Sequence, residues 1–206
     1  MKRRKRLAAA ERRSTIITGA MQLFSERGFH GATINDIARN VGVNPAILYQ
    51  HFKSKKELYD AVLHESACQR EDYHKVLNQP DGELEDALRD ITHIFVGNTS
   101  RNPSILKIEL HSLLDGSSEN HDFFEGRWKS FTDLVAYMVE EINEEEGLTH
   151  INPKIAGLIF QGMIREALIT KCLGSDDRFS DMAISEIVDE QVSLFLKILS
   201  PGSQAP

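Results

Sequence analysis

The sequence predicts an all-α protein of about nine helices, and three observations support this fold class. Apolar residues recur at helical spacing along most of the chain, for example at Leu84, Leu88 and Ile91. No segment shows the sustained apolar and polar alternation of a strand, and no Asn-Gly or Asp-Gly pair joins two β-branched runs. Three Asn-Pro pairs place a good N-cap residue before a proline at the first helical position. These pairs are Asn44-Pro45, Asn102-Pro103 and Asn152-Pro153.

The helices can be bounded in chain order from their start and stop signals. Thr33 begins the second helix as a capping-box variant, with Asp36 in place of the usual Glu, and an Asn-Pro pair begins the third. Glycines mark several helix ends because they readily adopt the left-handed conformation of a C-cap. These glycines are Gly28, Gly116, Gly147 and Gly174. The expected helices lie approximately at residues 11–27, 34–41, 45–51, 55–78, 82–101, 103–115, 120–146, 153–173 and 180–199.

The uneven distribution of charge suggests two domains. Residues 1–60 carry 12 Lys and Arg against 5 Asp and Glu, whereas residues 61–206 carry 12 against 26. A basic head on an acidic body predicts that the N-terminal part binds a polyanion, although a merely basic tail is the alternative reading. We expect a basic flexible tail at 1–10, a first domain at 11–56, a second at 57–200 with helix 55–78 as the connection, and a disordered tail at 201–206.

Several classes of protein are excluded by what the sequence lacks. Its two cysteines, Cys68 and Cys172, are too few for a disulfide framework or a cysteine-based zinc site, and the histidines show no metal-ligand spacing. There is no Gly-rich phosphate loop and no hydrolase or metalloprotease motif, so we expect neither an enzyme nor a cofactor. No apolar run is long enough to span a membrane or to follow the basic start as a signal peptide. These observations predict a cytoplasmic protein.

The segment from Thr33 to Lys56 carries the functional information. A short helix, a turn of about four residues that contains Gly42, and a second short helix at 45–51 form the pattern of a helix-turn-helix motif. The small side chain of Ala38 suits a point where two helices cross closely. Many helical hairpins share this pattern, so a purely structural hairpin remains the alternative.

The residues that follow the turn resemble the TetR family of bacterial transcriptional regulators. Its signature is Leu-Tyr-x-His-Phe-x-x-Lys-x-x-Leu, and the resemblance extends over roughly residues 14–60. This sequence departs from the family at Asn44-Pro45-Ala46-Ile47, where polar residues that read bases are usual. The matching residues are Phe24, Gly28, Thr33, Ile37, Ala38, Gly42, Val43, Leu48, Tyr49, His51, Phe52, Lys55, Glu57 and Leu58.

The resemblance implies a set of DNA-binding residues on and around the helix at 45–51. That helix would enter the major groove, with Asn44, Pro45 and Ala46 nearest the bases and Gln50 at its far end. Side chains on this helix and on both sides of it would contact phosphates, although a packing role for Tyr49 and a capping role for His51 are alternatives. The expected phosphate contacts are Thr33, Tyr49, His51 and Lys55, with Arg39 as a backbone or base contact.

The acidic body would be the regulatory and dimerisation domain of such a protein. Its last two helices are apolar on more than one face, which predicts a homodimer interface, with central helices of one monomer as the alternative. An aromatic- and Met-rich set of core residues would surround a small hydrophobic or amphipathic effector. The interface candidates are Gly157, Phe160, Ile164, Leu168, Val188 and Phe195. The effector-binding candidates are Phe95, Thr99, Glu109, Leu113, Phe124, Trp128, Phe131 and Met163.

The resemblance therefore implies a bacterial, cytoplasmic, homodimeric repressor that binds double-stranded operator DNA and is released from it by a small molecule. An adaptor that retains the hairpin motif without binding DNA is a second hypothesis, which the uneven charge disfavours. An enzyme is a third and weaker one. We expect no metal, no cofactor and no membrane contact.

Overall fold

The computed structural model describes residues 2–67, 84–115, 121–146, 151–174 and 177–199, and within these ranges it is helical without a strand. The all-α prediction is confirmed. No helix in these ranges is long and apolar enough to cross a membrane. The nine α-helices of the described ranges are α1 (Lys2–Gly31), α2 (Ile34–Val41), α3 (Pro45–His51), α4 (Lys55–Ala67), α5 (Leu84–Arg101), α6 (Ser104–Asp115), α7 (His121–Glu146), α8 (Pro153–Cys172) and α9 (Ile184–Leu199), with a short 3-10 helix at Asp177–Phe179.

The N terminus differs from the sequence-based prediction. We expected a flexible tail at residues 1–10, but α1 begins at Lys2 and continues through this segment. The correction has a simple cause, because Lys, Arg, Leu and Ala are all strong helix formers and neither Gly nor Pro occurs among them here. The predicted stop at Gly28 is present as an interruption, with φ 68° and ψ 177°, after which the helix continues to Gly31.

Most other helix boundaries lie close to their predicted positions. α2 and α3 have the expected bounds, and α9 begins at Ile184 rather than at 180. The connecting helix predicted at 55–78 is described as far as Ala67, and its remainder lies outside the described residues. The tail predicted to be disordered at 201–206 also lies outside them.

The chain divides into two compact units. The first unit contains α1 to α4 together with α6, and the second contains α5, α7, α8 and α9. The sequence placed the segment of α6 in a second domain beginning at 57, whereas this helix packs against α1. Ile105, Leu106 and Ile108 of α6 are all buried. The predicted domain boundary as a whole stays a prediction.

The core of the first unit forms beneath the helix-turn-helix segment. Ile16, Ala20 and Phe24 of α1 are fully buried, as the predicted apolar stripe requires. Tyr59 of α4 packs edge-on against Phe24, with the ring centroids 4.9 Å apart, and against Phe29 at 5.0 Å. Burial and the nearby carboxylates of Asp115 and Asp60 raise the pKa of the Tyr59 hydroxyl, so it stays neutral. This cluster fixes α4 against α1.

The second unit has a continuous aromatic core. Phe95 of α5 contacts Trp128 and Phe131 of α7, with ring centroids 4.7 Å and 5.3 Å away. Phe131 contacts Phe160 of α8 at 5.3 Å, and Phe160 contacts Phe195 of α9 at 4.7 Å. The aromatic contacts therefore connect all four helices of this unit, and such rings dominate the burial of apolar area in a core.

Candidate nucleic-acid interface

The helix-turn-helix segment is built from local capping interactions that the sequence specifies. The Thr33 hydroxyl accepts a hydrogen bond from the Asp36 N–H at 3.1 Å and so caps α2. Gly42 ends α2 in the left-handed region, with φ 72° and ψ 34°, which favours glycine. Asn44 begins α3, and its side-chain oxygen accepts from the Ala46 N–H at 2.9 Å. Together these caps fix the turn between the two helices.

The inner faces of α2 and α3 are buried and their outer faces are exposed. Ile37 and Ala38 of α2 pack inward with Leu48 of α3, and each has a relative exposure of 1% or less. Phe52, directly after α3, is also buried. With its inner side fixed in this way, α3 presents a rigid outer face to solvent.

The predicted DNA-contacting side chains lie mostly on that outer face. The side chain of Tyr49 is 56% exposed, which argues against a purely packing role. Pro45 and His51 are partly exposed. The remaining exposed candidates of α2, its cap and α3 are Thr33, Arg39, Asn44, Ala46 and Gln50.

A small network of charges surrounds the start of α2. The Thr33 hydroxyl donates to Oδ2 of Asp36 at 2.6 Å, and the guanidinium groups of Arg27 and Arg39 lie 3.6 Å and 3.1 Å from the same carboxylate. The Thr33 hydrogen bond and the two arginines lower the pKa of Asp36. Asp36 therefore stays ionised, and its negative charge is offset by two cations on this surface.

Lys55 has a different environment from the one expected for a phosphate ligand. Its Nζ donates to the carbonyl oxygen of Phe29 at 2.8 Å and to that of Ala32 at 3.0 Å. The same nitrogen lies 4.4 Å from the centroid of the Phe29 ring. Burial lowers the pKa of this ammonium group. Two of its three N–H bonds are therefore directed to the protein itself.

One cation near α3 was absent from the predicted set. The guanidinium of Arg13 on α1 lies 5.0 Å above the ring of Phe52, immediately after the end of α3. Such stacking holds the charge of Arg13 close to His51 and its helix end. The sequence offered a signal only in the basic pair Arg12-Arg13, and no spacing rule connects that pair to α3.

The effector-binding candidates lie in two different units. Phe95, Thr99, Phe124, Trp128 and Phe131 are buried in the second unit, and Met163 is partly buried there. The guanidinium of Arg165 lies 4.8 Å above the Trp128 ring. The other two candidates, Glu109 and Leu113, lie on α6 in the first unit, where Glu109 is buried and Leu113 is half exposed.

The predicted dimer-interface residues need correction, because all six are buried within a single chain. Their side chains form the inward faces of α8 and α9, and a Cβ atom added at Gly157 would lie 2.9 Å from the Thr132 carbonyl oxygen. Both helices are apolar on two faces, and sequence periodicity does not tell which face a protomer uses for its own core. The residues concerned are Gly157, Phe160, Ile164, Leu168, Val188 and Phe195.

The opposite faces of the same helices carry a second apolar stripe. Ile155, Leu158 and Ile159 of α8 are 52%, 62% and 53% exposed. Leu194 and Ile198 of α9 are 54% and 62% exposed. We call these five residues the outer stripe. Apolar side chains that recur at helical spacing on two packed helices are typical of an interface.

The described residues form no candidate metal centre. Among them, no group of three or more His, Cys, Asp or Glu side chains is placed to hold a metal ion. The surface of the first unit that carries the charges and the exposed polar groups described above thus remains the candidate site.

Comparisons with known proteins agree with this geometry. A family model for bacterial regulatory proteins of the tetR family matches residues 16–62. Over 62 residues the chain is 47% identical to the transcriptional activator FasR of Mycolicibacterium smegmatis, a match that covers 30% of this chain and 28% of FasR. Over 45 residues it is 51% identical to the negative regulator IcaR of Staphylococcus aureus, which covers 22% and 24%. The chain thus matches about a quarter of the length of these relatives.

The likeness to solved structures extends over nearly the whole chain. The crystal structure of AibR in complex with isovaleryl coenzyme A and operator DNA superposes with a TM-score of 0.67 at 22% identity, covering 89% of this chain and 97% of AibR. At this identity the superposition shows the fold. Taken together, the comparisons show a helix-turn-helix segment that matches the model for bacterial regulatory proteins of the tetR family at residues 16–62, within a chain whose fold resembles that of AibR.

Proposed function

We propose that the chain is a transcriptional regulator that binds double-stranded operator DNA through α3. The observation that carries this proposal is the contrast between the two sides of α3, since Leu48 is buried beneath it while Ala46, Tyr49 and Gln50 are exposed. A rigid helix with one free face fits the major groove, where its N-terminal residues are nearest the base edges. FasR is named as a transcriptional activator of the helix-turn-helix type, and IcaR as a negative transcriptional regulator of the same type.

The contacts divide into two kinds. Asn44, Pro45 and Ala46 at the start of α3 are the base-proximal residues, and the latter two offer only apolar contact, for example to a thymine methyl group. Thr33 and Tyr49 lie at separate points of the exposed surface, and their hydroxyl groups suit phosphate oxygens. Arg13, held beside the end of α3, adds a cation that can contact the phosphate backbone of DNA.

We further propose that the outer stripe forms the interface of a homodimer. A stripe of large apolar side chains costs free energy in water, and pairing it with a symmetry mate removes it from solvent. Gly162 lies on the same exposed face of α8, and a Cβ atom added there would meet nothing within 4 Å, so a partner helix has room to approach. The family resemblance implies the same pair of helices.

For regulation, we propose a cytoplasmic repressor that a small hydrophobic or amphipathic effector releases from DNA. The relatives include an activator and a negative regulator, so repression rests on the family's usual behaviour rather than on either name. The aromatic core of the second unit, with Arg165 above Trp128, combines apolar surface with a cation, which suits an amphipathic anion. AibR was crystallised with such a molecule, isovaleryl coenzyme A. No chemistry on the described residues favours an enzyme.

Selection from a random double-stranded DNA library tests the proposal directly. We expect enrichment of a near-palindrome whose half-sites lie about 34–36 Å apart, or a multiple of that distance, because two α3 helices must enter successive major grooves. The matched control is the same selection with Ala46→Glu, whose carboxylate would face the bases and remove the enrichment. Failure of the wild-type protein to enrich any sequence would favour the adaptor hypothesis.

A further inference from the structure

We propose that Lys55 is a positioning residue that fixes Thr33 beside the start of α4, and not a ligand of DNA phosphate; this inference rests on the proposed DNA-binding function. Lys55 is the first residue of α4, while Thr33 caps α2, more than twenty residues earlier in the chain. The Lys55 ammonium joins these two places through the main chain at the end of α1.

The Lys55 ammonium group is surrounded by groups of the protein that bind it. Its two hydrogen bonds, at 2.8 Å and 3.0 Å, are of ordinary length, and because the donor is charged they are stronger than bonds between neutral groups. The Phe29 ring covers the nitrogen at 4.4 Å and adds a cation–π contact. A lysine held by three protein groups is placed for structure, whereas a free phosphate ligand keeps its hydration until DNA arrives.

The irregular end of α1 favours a nearby cation. Gly28 interrupts α1 at φ 68°, so the carbonyl groups that follow it lie at an irregular helix end. Carbonyl groups at a helix C-terminus carry partial negative charge, and a lysine side chain near them is favourable. Lys55 supplies that cation from another helix, to the oxygens of Phe29 and Ala32.

The Lys55 contact lies next to the proposed DNA-binding surface. Ala32 immediately precedes Thr33, so a fixed Ala32 carbonyl group fixes the position from which the Thr33 hydroxyl points. At the other end, the first turn of α4 is itself capped, since Glu57 N–H donates to Ser54 Oγ at 3.1 Å and Lys53 N–H donates to a Glu57 carboxylate oxygen at 2.7 Å. Lys55 therefore connects two rigid points on either side of α3.

The test compares Lys55→Met, which keeps the length of the side chain and removes its charge, with Lys53→Met, which removes an exposed charge two residues away. Without DNA, we expect Lys55→Met to lower the melting temperature by about 2–6 °C and Lys53→Met to leave it unchanged. With operator DNA, we expect Lys55→Met to weaken binding by about tenfold, while the slope of log K against log salt stays as in the wild type, because the contact that is weakened is made by the neutral Thr33 hydroxyl and not by a cation.

An unchanged melting temperature together with a salt slope shallower by about 0.9 would identify Lys55 as a phosphate ligand and overturn the proposal. A measurement on the wild-type protein covers the case in which Lys55→Met does not fold. We expect the ¹H–¹⁵N correlation of the Lys55 ammonium group to be visible in the free protein, because two of its three protons are hydrogen-bonded to carbonyl oxygens. A signal that appears only when DNA is added contradicts the proposal. The melting temperature and the ammonium signal of the free protein need no DNA, so they test the structural role of Lys55 even if the DNA-binding function itself fails.

Discussion

The Thr33 hydroxyl makes two hydrogen bonds with Asp36, donating to its carboxylate at 2.6 Å and accepting from its N–H at 3.1 Å. One side chain thus caps α2 and holds an ionised carboxylate close to the helix N-terminus, where negative charge is favourable. Thr33 is exposed, and because a phosphate oxygen only accepts hydrogen bonds, a contact with the DNA backbone requires the hydroxyl proton to turn from Asp36 to the phosphate. Substitutions of Thr33 test both its role in stability and its role in binding.

We expect Thr33→Ala to lower the melting temperature by about 2–4 °C, since an N-cap contributes about 1 kcal/mol and the chain is of moderate size. The same change should weaken binding to operator and to unrelated DNA alike, because a phosphate contact carries no sequence information. Thr33→Ser keeps the hydroxyl group and should restore both properties in melting and binding assays. A normal melting temperature for Thr33→Ala would show that the cap is dispensable.

Tyr49→Phe tests the phosphate contact on α3 with less effect on the fold. Its side chain is 56% exposed, so loss of the hydroxyl should leave the melting temperature unchanged while binding to all DNA sequences weakens by about tenfold. The matched control is Tyr137→Phe, a tyrosine of α7 that is 50% exposed in the second unit and should leave DNA binding intact. Equal binding by both variants would remove Tyr49 from the interface.

The parts of this structure that could be predicted from sequence are those set by local interactions. Thr33, Asn44 and Asn152 each cap the helix expected of them, because a cap involves only residues two or three positions apart. The helix-turn-helix core could be predicted for the same reason, because it depends on the spacing of a few apolar residues around Gly42.

Long-range choices could not be predicted in this way. The Lys55 hydrogen bonds join residues that are 23 and 26 positions apart, and no periodicity in the sequence predicts them. The inward face of α8 was likewise undetermined, because Phe160 and Ile159 are both large and apolar although one is fully buried and the other 53% exposed. In both cases the outcome, which groups bond and which face is buried, depends on tertiary packing and not on local conformational preference.

The outer stripe predicts where a single charge will separate the proposed dimer. We expect Ile159→Asp or Leu194→Asp to give a folded protein of 23.3 kDa in place of a dimer of twice that mass, as measured by light scattering after size exclusion. Leu114→Asp is the control, since this leucine of α6 is 84% exposed and should leave the dimer intact.

Phe160→Asp provides the contrasting result for the buried face of α8. Phe160 has no exposed surface, so an aspartate there should unfold the second unit, with loss of helical circular dichroism. A dimer that survives Ile159→Asp and Leu194→Asp together would place the interface elsewhere on the protein.

The pair of Asp189 on α9 and His93 on α5 predicts a pH dependence of stability. His93 Nε2 lies 2.8 Å from Asp189 Oδ1, and this hydrogen bond, followed by Arg89, lowers the pKa of Asp189 below its ordinary value of 3.8. Folding therefore favours the charged carboxylate, and the stabilisation is present above pH 3.8 and is lost as the pH falls through the lower folded-state pKa.

We expect Asp189→Asn to lower the melting temperature by about 1–3 °C at pH 7, a modest shift because the side chain is half exposed, and by less at pH 3. Asp133→Asn is the control, since Asp133 makes an exposed ion pair with Lys129 one turn away on α7. A difference between wild type and Asp189→Asn that stays the same from pH 7 to pH 3 would exclude this carboxylate as its source.

The proposed effector switch gives a prediction that Trp128 can report. It is the only tryptophan in the sequence, and its ring lies in the aromatic core with Arg165 above it. Short- and long-chain acyl-coenzyme A molecules are suitable probes because each combines an apolar chain with anionic groups. We expect a binding probe to change the fluorescence of Trp128 and to lower operator affinity by about 5–150-fold, which corresponds to a coupling of about 1–3 kcal/mol.

By linkage, operator DNA must weaken binding of the same probe by the same factor. The measurement is a titration of the probe by fluorescence with and without saturating operator, repeated by calorimetry for Trp128→Ala and Trp128→Phe. Trp128→Ala should lose probe binding, because the ring and its contact with Arg165 are gone, while Trp128→Phe should retain part of it. Equal probe affinities with and without operator would mean that the probe is not an inducer. Intact probe binding in Trp128→Ala would place the effector outside this aromatic core.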